Sequence, residues 1–193
     1  MINESLLLNS LNEFYKIPGN GRQLLSILNN EKNISLRSVD WFITNYSKKY
    51  NIYYNIYKDE NDIMLLNEND KTKLYSTINV FHSYKSQLRA YSKKRFDPFC
   101  RRNRIKFLCQ GKEIDTTIGQ LNFFKWAINN LIVNYISIHK DDIEVDMNSC
   151  LKEMKLQGYI MKKQGKRKKR QELSLSATRG LSRNNYTVHL DFD

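Results

Sequence analysis

Apolar residues recur at helical spacing three times before residue 50. Leu7, Leu8, Leu11 and Tyr15 share one face in "NESLLLNSLNEFY", and Leu24, Leu25 and Leu28 share one in "RQLLSILNN". "IPGNG", residues 17–21, breaks the pattern between them. Ser35 can cap a third helix, "LRSVDWFITNYSKKY", whose stripe is Val39, Phe42, Ile43 and Tyr46. The period then changes. "NIYYNIY" (51–57) and "DIMLL" (62–66), joined by the polar "KDEND", predict a β-hairpin. Three helices followed by a hairpin is the order of a winged-helix domain, so a winged-helix-like arrangement is one expectation for the N-terminal region.

A long helix is expected from about Leu74 to Arg95. Phe81, Tyr84, Leu88 and Tyr91 recur at 3-4-3 spacing, and Lys85, Arg89 and Lys93 form a stripe about 120° around from them. "FDPF", residues 96–99, ends this helix, because the residue before Pro98 is pushed away from helical geometry. Phe96 and Phe99 are expected in the core. "IKFLCQGKEIDTT" alternates as a second hairpin turning near Gln110 and Gly111. Thr117 and Gln120 match a capping box, in which each side chain covers the other's orphan backbone N–H. They open an apolar helix over 121–138, with Phe124, Ile128, Leu131 and Tyr135 at core spacing. A further helix over 141–155 begins in acids and ends in lysines, which complements its dipole.

From Gln157 onward large apolar residues thin out and Lys, Arg, Ser and Gly dominate. The expected organisation is one α-rich globular domain over 1–155, within which 1–70 and 71–155 form a natural division. A flexible basic tail covers 156–193. Its last residues, "YTVHLDFD", alternate and could add a terminal strand to this domain or to a partner. The fold class is α+β, predominantly α-helical with short β-hairpins.

Charge sharpens this picture. The 193-residue chain carries a net +12. The stretch from His82 to Phe107 holds nine Lys or Arg and one acid, Asp97; Lys155 to Arg170 holds eight with no acid. The rest of the chain is slightly acidic. Two basic islands on an acidic background point to a polyanionic partner, nucleic acid first. The candidate contacts in the first island are Lys85, Arg89, Lys93, Lys94, Arg95, Arg101, Arg102 and Arg104. Those in the tail are Lys162, Lys163, Lys166, Arg167, Lys168, Lys169 and Arg170. Regularly spaced cations match phosphates and release counterions, and Arg adds bidentate contact. Aromatics could stack on bases. Phe81, Tyr84 and Tyr91 stand at core spacing, which argues against that use.

Other chemistry is thin. Cys100, Cys109 and Cys150 have no C-x-x-C spacing, and His82, His139 and His189 complete no zinc pattern, so no metal or other cofactor is expected. An odd cysteine count suits a reducing compartment. "PGNGR" (18–22) lacks the ending of a phosphate loop. Asp141, Asp142, Glu144 and Asp146 could bind a divalent ion as nuclease carboxylates do, but acids at a helix start are ordinary structure. No signal peptide opens the chain, and Leu121–Ile138, the most apolar stretch, carries Lys125 and four Asn, so no membrane span is expected.

"ISLRSVDWFITNYSKKYNI" (34–52), "SYKSQLRAYSKKRFDPFCRRNRI" (83–105) and "DTTIGQLNFFKWAI" (115–128) stand in this order, with a basic tail before "ELSLSATRGL". Together they resemble a family of small proteins found across the giant DNA viruses of the Nucleocytoviricota, mimivirus- and phycodnavirus-like. The resemblance spans most of the chain. It implies an origin and a setting, the host cytoplasm, a virus factory or the virion, with the nucleus open through the "KRKKR" pattern. It implies no mechanism and carries over no catalytic residues. The function expected from the residues is non-enzymatic binding of DNA or RNA through phosphate contacts. The alternatives are a module docking on an acidic viral protein and, last, a metal-dependent nuclease.

Overall fold

The computed structural model describes residues 4–31, 33–101 and 103–163, with side chains to Leu156. Helices α1 (Glu4–Lys16) and α2 (Pro18–Leu28) follow the expected stripes, with Leu7, Leu11, Tyr15 and Leu24 buried. The breaker is narrower than its composition suggests. Pro18 takes the first helical position of α2, where its missing N–H costs nothing. Gly21 lets α2 approach the second hairpin, since a Cβ there would meet Gln110 Nε2 at 2.7 Å and the Tyr15 carbonyl at 2.9 Å.

Ser35 caps α3 (Leu36–Trp41), its hydroxyl accepting the Ser38 N–H at 3.0 Å. The helix then widens into a π-helical turn, Phe42–Tyr46, in which the Ser47 N–H reaches back to the Phe42 carbonyl, before a last short turn α4 (Ser47–Lys49). Hydroxyls compensate the wide winding. Thr44 Oγ1 donates to the Asp40 carbonyl at 2.7 Å and Ser47 Oγ to that of Ile43 at 2.8 Å.

The first hairpin pairs β1 (Tyr53–Lys58) with a two-residue β2 (Met64–Leu65). A third strand, β3 (Lys73–Asn79), lies on the other side of β1, giving the antiparallel order β2-β1-β3. This corrects the expectation of helix from Leu74. Residues 73–79 pair with β1 from Lys58↔Lys73 to Tyr53↔Asn79, and only Ile78 is buried. The Asn79 side chain then accepts the His82 N–H at 3.1 Å and starts α5 (Val80–Tyr91), shorter than expected at both ends.

Strands β4 (Ile105–Cys109) and β5 (Lys112–Thr116) form the second hairpin in simple register. Its two-residue loop is Gln110 and Gly111, at φ 49° and 76°, the positive pair that a twisted hairpin requires. The single helix expected over 121–138 is two helices, α6 (Ile118–Asn129) and α7 (Ile132–Ile138), broken at Leu131, which takes a left-handed conformation at φ 52°. Helix α8 runs from Lys140 to Lys163, past Gln157 where the tail was expected to begin. The rest of the expected tail and its terminal strand lie outside the described residues.

One core joins these parts. It includes Leu11 and Leu24, Phe42 and Ile43, Ile56 of the sheet, Phe107, and Phe123, Phe124 and Ile136. Helix α8 is tied to α3–α4 through Asp146. Its carboxylate accepts Trp41 Nε1 at 3.0 Å, the Lys49 ammonium and the Tyr50 hydroxyl at 3.2 Å. Burial pushes its pKa up, but these hydrogen bonds and the Lys49 charge hold it below the usual carboxylate value. Asp146 is thus a structural anchor, while Asp141 and Asp142 face solvent in the first turn.

Candidate nucleic-acid interface

Sequence places the first basic island on a helix and a turn, and packing decides how its charges lie. The turn after α5 is held by α6. Phe96 is 1% exposed, with ring centroids 5.2 Å from Phe123, 5.6 Å from Trp126, 6.0 Å from Tyr84 and 6.4 Å from Tyr91. Asn122 Nδ2 donates to the Arg95 carbonyl at 2.9 Å, and the Asp97 N–H to the Gly119 carbonyl at 3.2 Å. Gly119 permits this approach, because a Cβ there would stand 3.1 Å from the Lys94 carbonyl.

Half of the capping box forms: Thr117 Oγ1 accepts the Gln120 N–H at 3.0 Å. The Gln120 side chain does not reach back to the cap. It accepts from Thr116 Oγ1 at 2.9 Å and donates to the Pro98 carbonyl at 2.9 Å, so a residue in the first turn of α6 also pins the basic turn.

The end of α5 and the turn meet around Asp40 of α3. Burial pushes its carboxyl up to about 6, with Arg101 and Lys93 pulling down and Asp97 pushing up. The Tyr84 hydroxyl is also raised, by burial and by the charges of Asp40 and Asp97, with Arg101 opposing. Asp40 therefore feels the charges of Lys93, Asp97 and Arg101 together. It was not among the residues singled out from sequence, since only the tertiary fold brings it to the island.

Part of the island is neutralised. Arg95 gives both Nε and a terminal nitrogen to Glu4 Oε1, at 3.1 and 3.0 Å. Arg101 makes a two-pronged pair with Asp97, at 3.1 and 2.9 Å. Lys106 pairs across the hairpin with Asp115 at 3.0 Å and Glu113 at 3.5 Å. Arg89, Lys94 and Arg104 are exposed and make no ion pair among the described residues. Arg102 and Lys166, Arg167, Lys168, Lys169 and Arg170 lie outside the described residues. Lys162 and Lys163 fall on the backbone of α8.

Two aromatics depart from the expected core. Phe81 and Phe99 are only half-buried and stand outside the packed core, whereas Tyr84 and Phe96 are within it. Phe81 sits in the first turn of α5, beyond the edge of the core. Two ammonium groups lie over its ring, Lys85 at 5.6 Å and Lys48 of α4 at 5.7 Å from the centroid. The Arg101 guanidinium lies 4.5 Å over Phe99. Lys48 is a contact that the sequence pattern did not single out. "SKKY" showed two lysines, but the π turn before them decides that Lys48 turns to Phe81 and Lys49 to Asp146.

A family model, a family of unknown function (DUF7197), matches residues 3–164. The chain belongs to DUF7197. The match takes in every described element of the fold, α8 included. The chain is also similar to uncharacterized protein L507 of Acanthamoeba polyphaga mimivirus, 42% identical over 138 residues, covering 68% of this chain and 48% of the relative. It spans about half the length of that curated relative. The giant-virus family resemblance read from the sequence therefore holds for this DUF7197 protein. No solved structure matches it. No described helix is long and apolar enough to cross a membrane, and among the described residues no cluster of His, Cys, Asp or Glu is placed to hold a metal ion.

Proposed function

We propose that this DUF7197 protein binds nucleic acid without catalysis, through phosphate contacts on the face formed by the end of α5 and the turn leading to β4. The setting is viral transcription, replication or genome packaging. One observation carries the reading. Arg89, Lys94 and Arg104 stay exposed and make no ion pair among the described residues. A chain that needed only a soluble surface would gain nothing from gathering cations, since like charges repel when close. The tail lysines and arginines supply a second contact.

The test is fluorescence anisotropy of labelled nucleic acid across a salt series, with the full chain and with Arg89→Glu/Lys94→Glu/Arg104→Glu. Each phosphate contact contributes close to one unit to the slope of log K against log salt. The triple variant is expected to flatten that slope by about two to three units. An unchanged slope sinks this face as the site. A chain ending at Lys163, the last residue of α8, separates the folded face from the rest of the tail.

The alternative is a module that docks on an acidic viral protein. It is favoured by β3, which lies at the open edge of its sheet with Leu74 and Tyr75 exposed. Pull-down of an acidic partner after nuclease treatment, with no nucleic-acid binding, would favour it.

A further inference from the structure

Away from the basic face, α2, the loop after it, the start of β5 and α7 enclose a cleft of about 420 Å³. That volume suits a small organic ligand rather than a single ion. Its floor is apolar, with Val133 buried and Leu25 and Ile27 half-buried against the core. Two cations line it from distant parts of the chain, Arg22 of α2 and Lys112 of β5. The second hairpin brings them together. Cys109 Sγ donates to the Gly21 carbonyl at 3.6 Å and Gln110 Nε2 to that of Tyr15 at 3.2 Å, which holds the hairpin tip against the turn of α2 that carries Arg22. Neither cation is neutralised. Arg22 Nε donates to the Pro18 carbonyl at 3.3 Å, and neither Arg22 nor Lys112 makes an ion pair among the described residues. The acid lining the cleft, Glu31, accepts instead from Asn29 Nδ2 at 3.4 Å. The amides of Gln23 and Asn134 complete the wall, and their side chains make no hydrogen bond among the described residues.

Each part of this lining selects a different feature of a ligand. The two cations repel each other and favour an anion between them. The apolar floor favours a flat or aliphatic body. The amides and Glu31 favour donors and acceptors along the edge of that body, such as the edges of a base present to Asn, Gln and Glu. A bare phosphate would leave the floor in water, and a fatty acid would leave the covered amides without partners. A nucleotide carries all three features in one molecule. We propose that this cleft binds a nucleoside monophosphate, with the phosphate at Arg22 and Lys112 and the base over Leu25, Ile27 and Val133. The cleft lies on elements other than α5 and the basic turn, so it is a second site that stands apart from the phosphate-binding face.

The experiment is isothermal titration calorimetry of the full chain with AMP and UMP, set against adenosine, uridine, inorganic phosphate and leucine. At least one nucleotide is expected to bind about tenfold more tightly than its nucleoside and than phosphate, because each of these lacks one half of the recognised groups. Arg22→Ala/Lys112→Ala should weaken the nucleotide about tenfold and leave the nucleoside where it was. Asn134→Trp should fill the cleft and weaken nucleotide and nucleoside alike. Arg22 and Lys112 are exposed, so their double variant keeps the test open if Asn134→Trp does not fold. A 5′-phosphorylated trinucleotide that displaces AMP, where its unphosphorylated form does not, would support the site with the end of a strand as its source. Failure of both to displace AMP would support a free nucleotide.

A nucleoside that binds as tightly as its nucleotide, leucine that binds more tightly than both nucleotides, or no change in Arg22→Ala/Lys112→Ala overturns the site. So does an equal loss of AMP binding in Arg89→Glu/Lys94→Glu/Arg104→Glu, which would move the phosphate to the α5 face. If neither nucleotide binds, the cleft is overturned and the nucleic-acid face still stands or falls on its own salt series.

Discussion

The two ends of α5 are built from the same kinds of residue and used differently. At the C-terminal end, rings and polar groups are consumed by the fold. Phe96 fills the core, Gln120 and Asn122 take the carbonyls of Pro98 and Arg95, and Glu4 and Asp97 pair with two of the arginines. At the N-terminal end Phe81 lies outside the core, with the ammonium groups of Lys48 and Lys85 over its ring. A cation-and-aromatic stretch is therefore no uniform signal. Whether a ring holds the fold depends on which other elements pack over it: Trp126 of α6 reaches Ser83, Tyr84 and Phe96, while Phe81 stands outside the core.

The largest expected effect tests that contrast directly. Phe96→Ala should cost about 3–5 kcal/mol in denaturant unfolding, as for other buried phenylalanines. Phe81→Ala should stay within about 1 kcal/mol of the unaltered chain. Comparable losses at both sites would erase the distinction.

The next effect is a pH signature under the clamped end. The Asp40 carboxyl titrates at about 6 in the fold, above its ordinary 3.8, through burial opposed by Arg101 and Lys93 and reinforced by Asp97. The folded chain thus keeps a proton that the unfolded chain has released. That contribution is full below about pH 4 and is lost as pH rises through 6. Asp40→Asn imitates the protonated form. Its stability advantage should be small at pH 4.5 and grow to on the order of 2 kcal/mol by pH 7.5. A difference that does not change with pH would mean that Asp40 is not held as described. Asp146 bears on the profile with the opposite sign. Its lowered pKa contributes stability at neutral pH that fades as acid protonates it.

Asn122→Ala comes third. It leaves the Arg95 carbonyl without its donor and should cost about 1–2 kcal/mol. It should also weaken nucleic-acid binding slightly by loosening the turn, which a salt series on the same variant would report. Glu4→Gln is the smallest. The half-exposed Arg95–Glu4 pair contributes under about 1 kcal/mol. Its loss should barely move stability while releasing Arg95, steepening the salt dependence of binding by up to about one unit. A shallower slope would place Arg95 away from the contact.

Much of this arrangement was legible in the sequence. Helices α1, α2 and α3 announced themselves through 3-4 stripes, α6 through its capping residues and apolar spacing, α8 through its run from acids to lysines, and Gln110-Gly111 marked its turn. The misses share a cause, in that local pattern cannot see a neighbour. Residues 74–79 were expected to open the helix that carries Phe81 and Tyr84, but this segment has β1 to pair with and becomes β3. The break at Leu131 carries no glycine, because tertiary packing imposes the left-handed residue. Phe81 shares its spacing with Tyr84, yet nothing local says where the core ends. Gln120 was read as a capping residue, and its distant partner, the Pro98 carbonyl, is 22 positions away. For the candidate site, the basic residues were visible one by one. Their pairing with Glu4 and Asp97 and the place of Lys48 over Phe81 needed the third dimension.

The π-helical turn at Phe42–Tyr46 sets an angular phase. It holds one residue more than an ordinary turn would, and each residue in a helix advances the chain by about 100°. Two consecutive lysines leave the helix just after it, one inward to Asp146 on α8 and one outward to Phe81. Deleting a single residue from the turn would rotate both at once, unlocking an interior seam and carrying Lys48 off the Phe81 ring. Over these five positions the chain transmits information through its length as much as through its side chains.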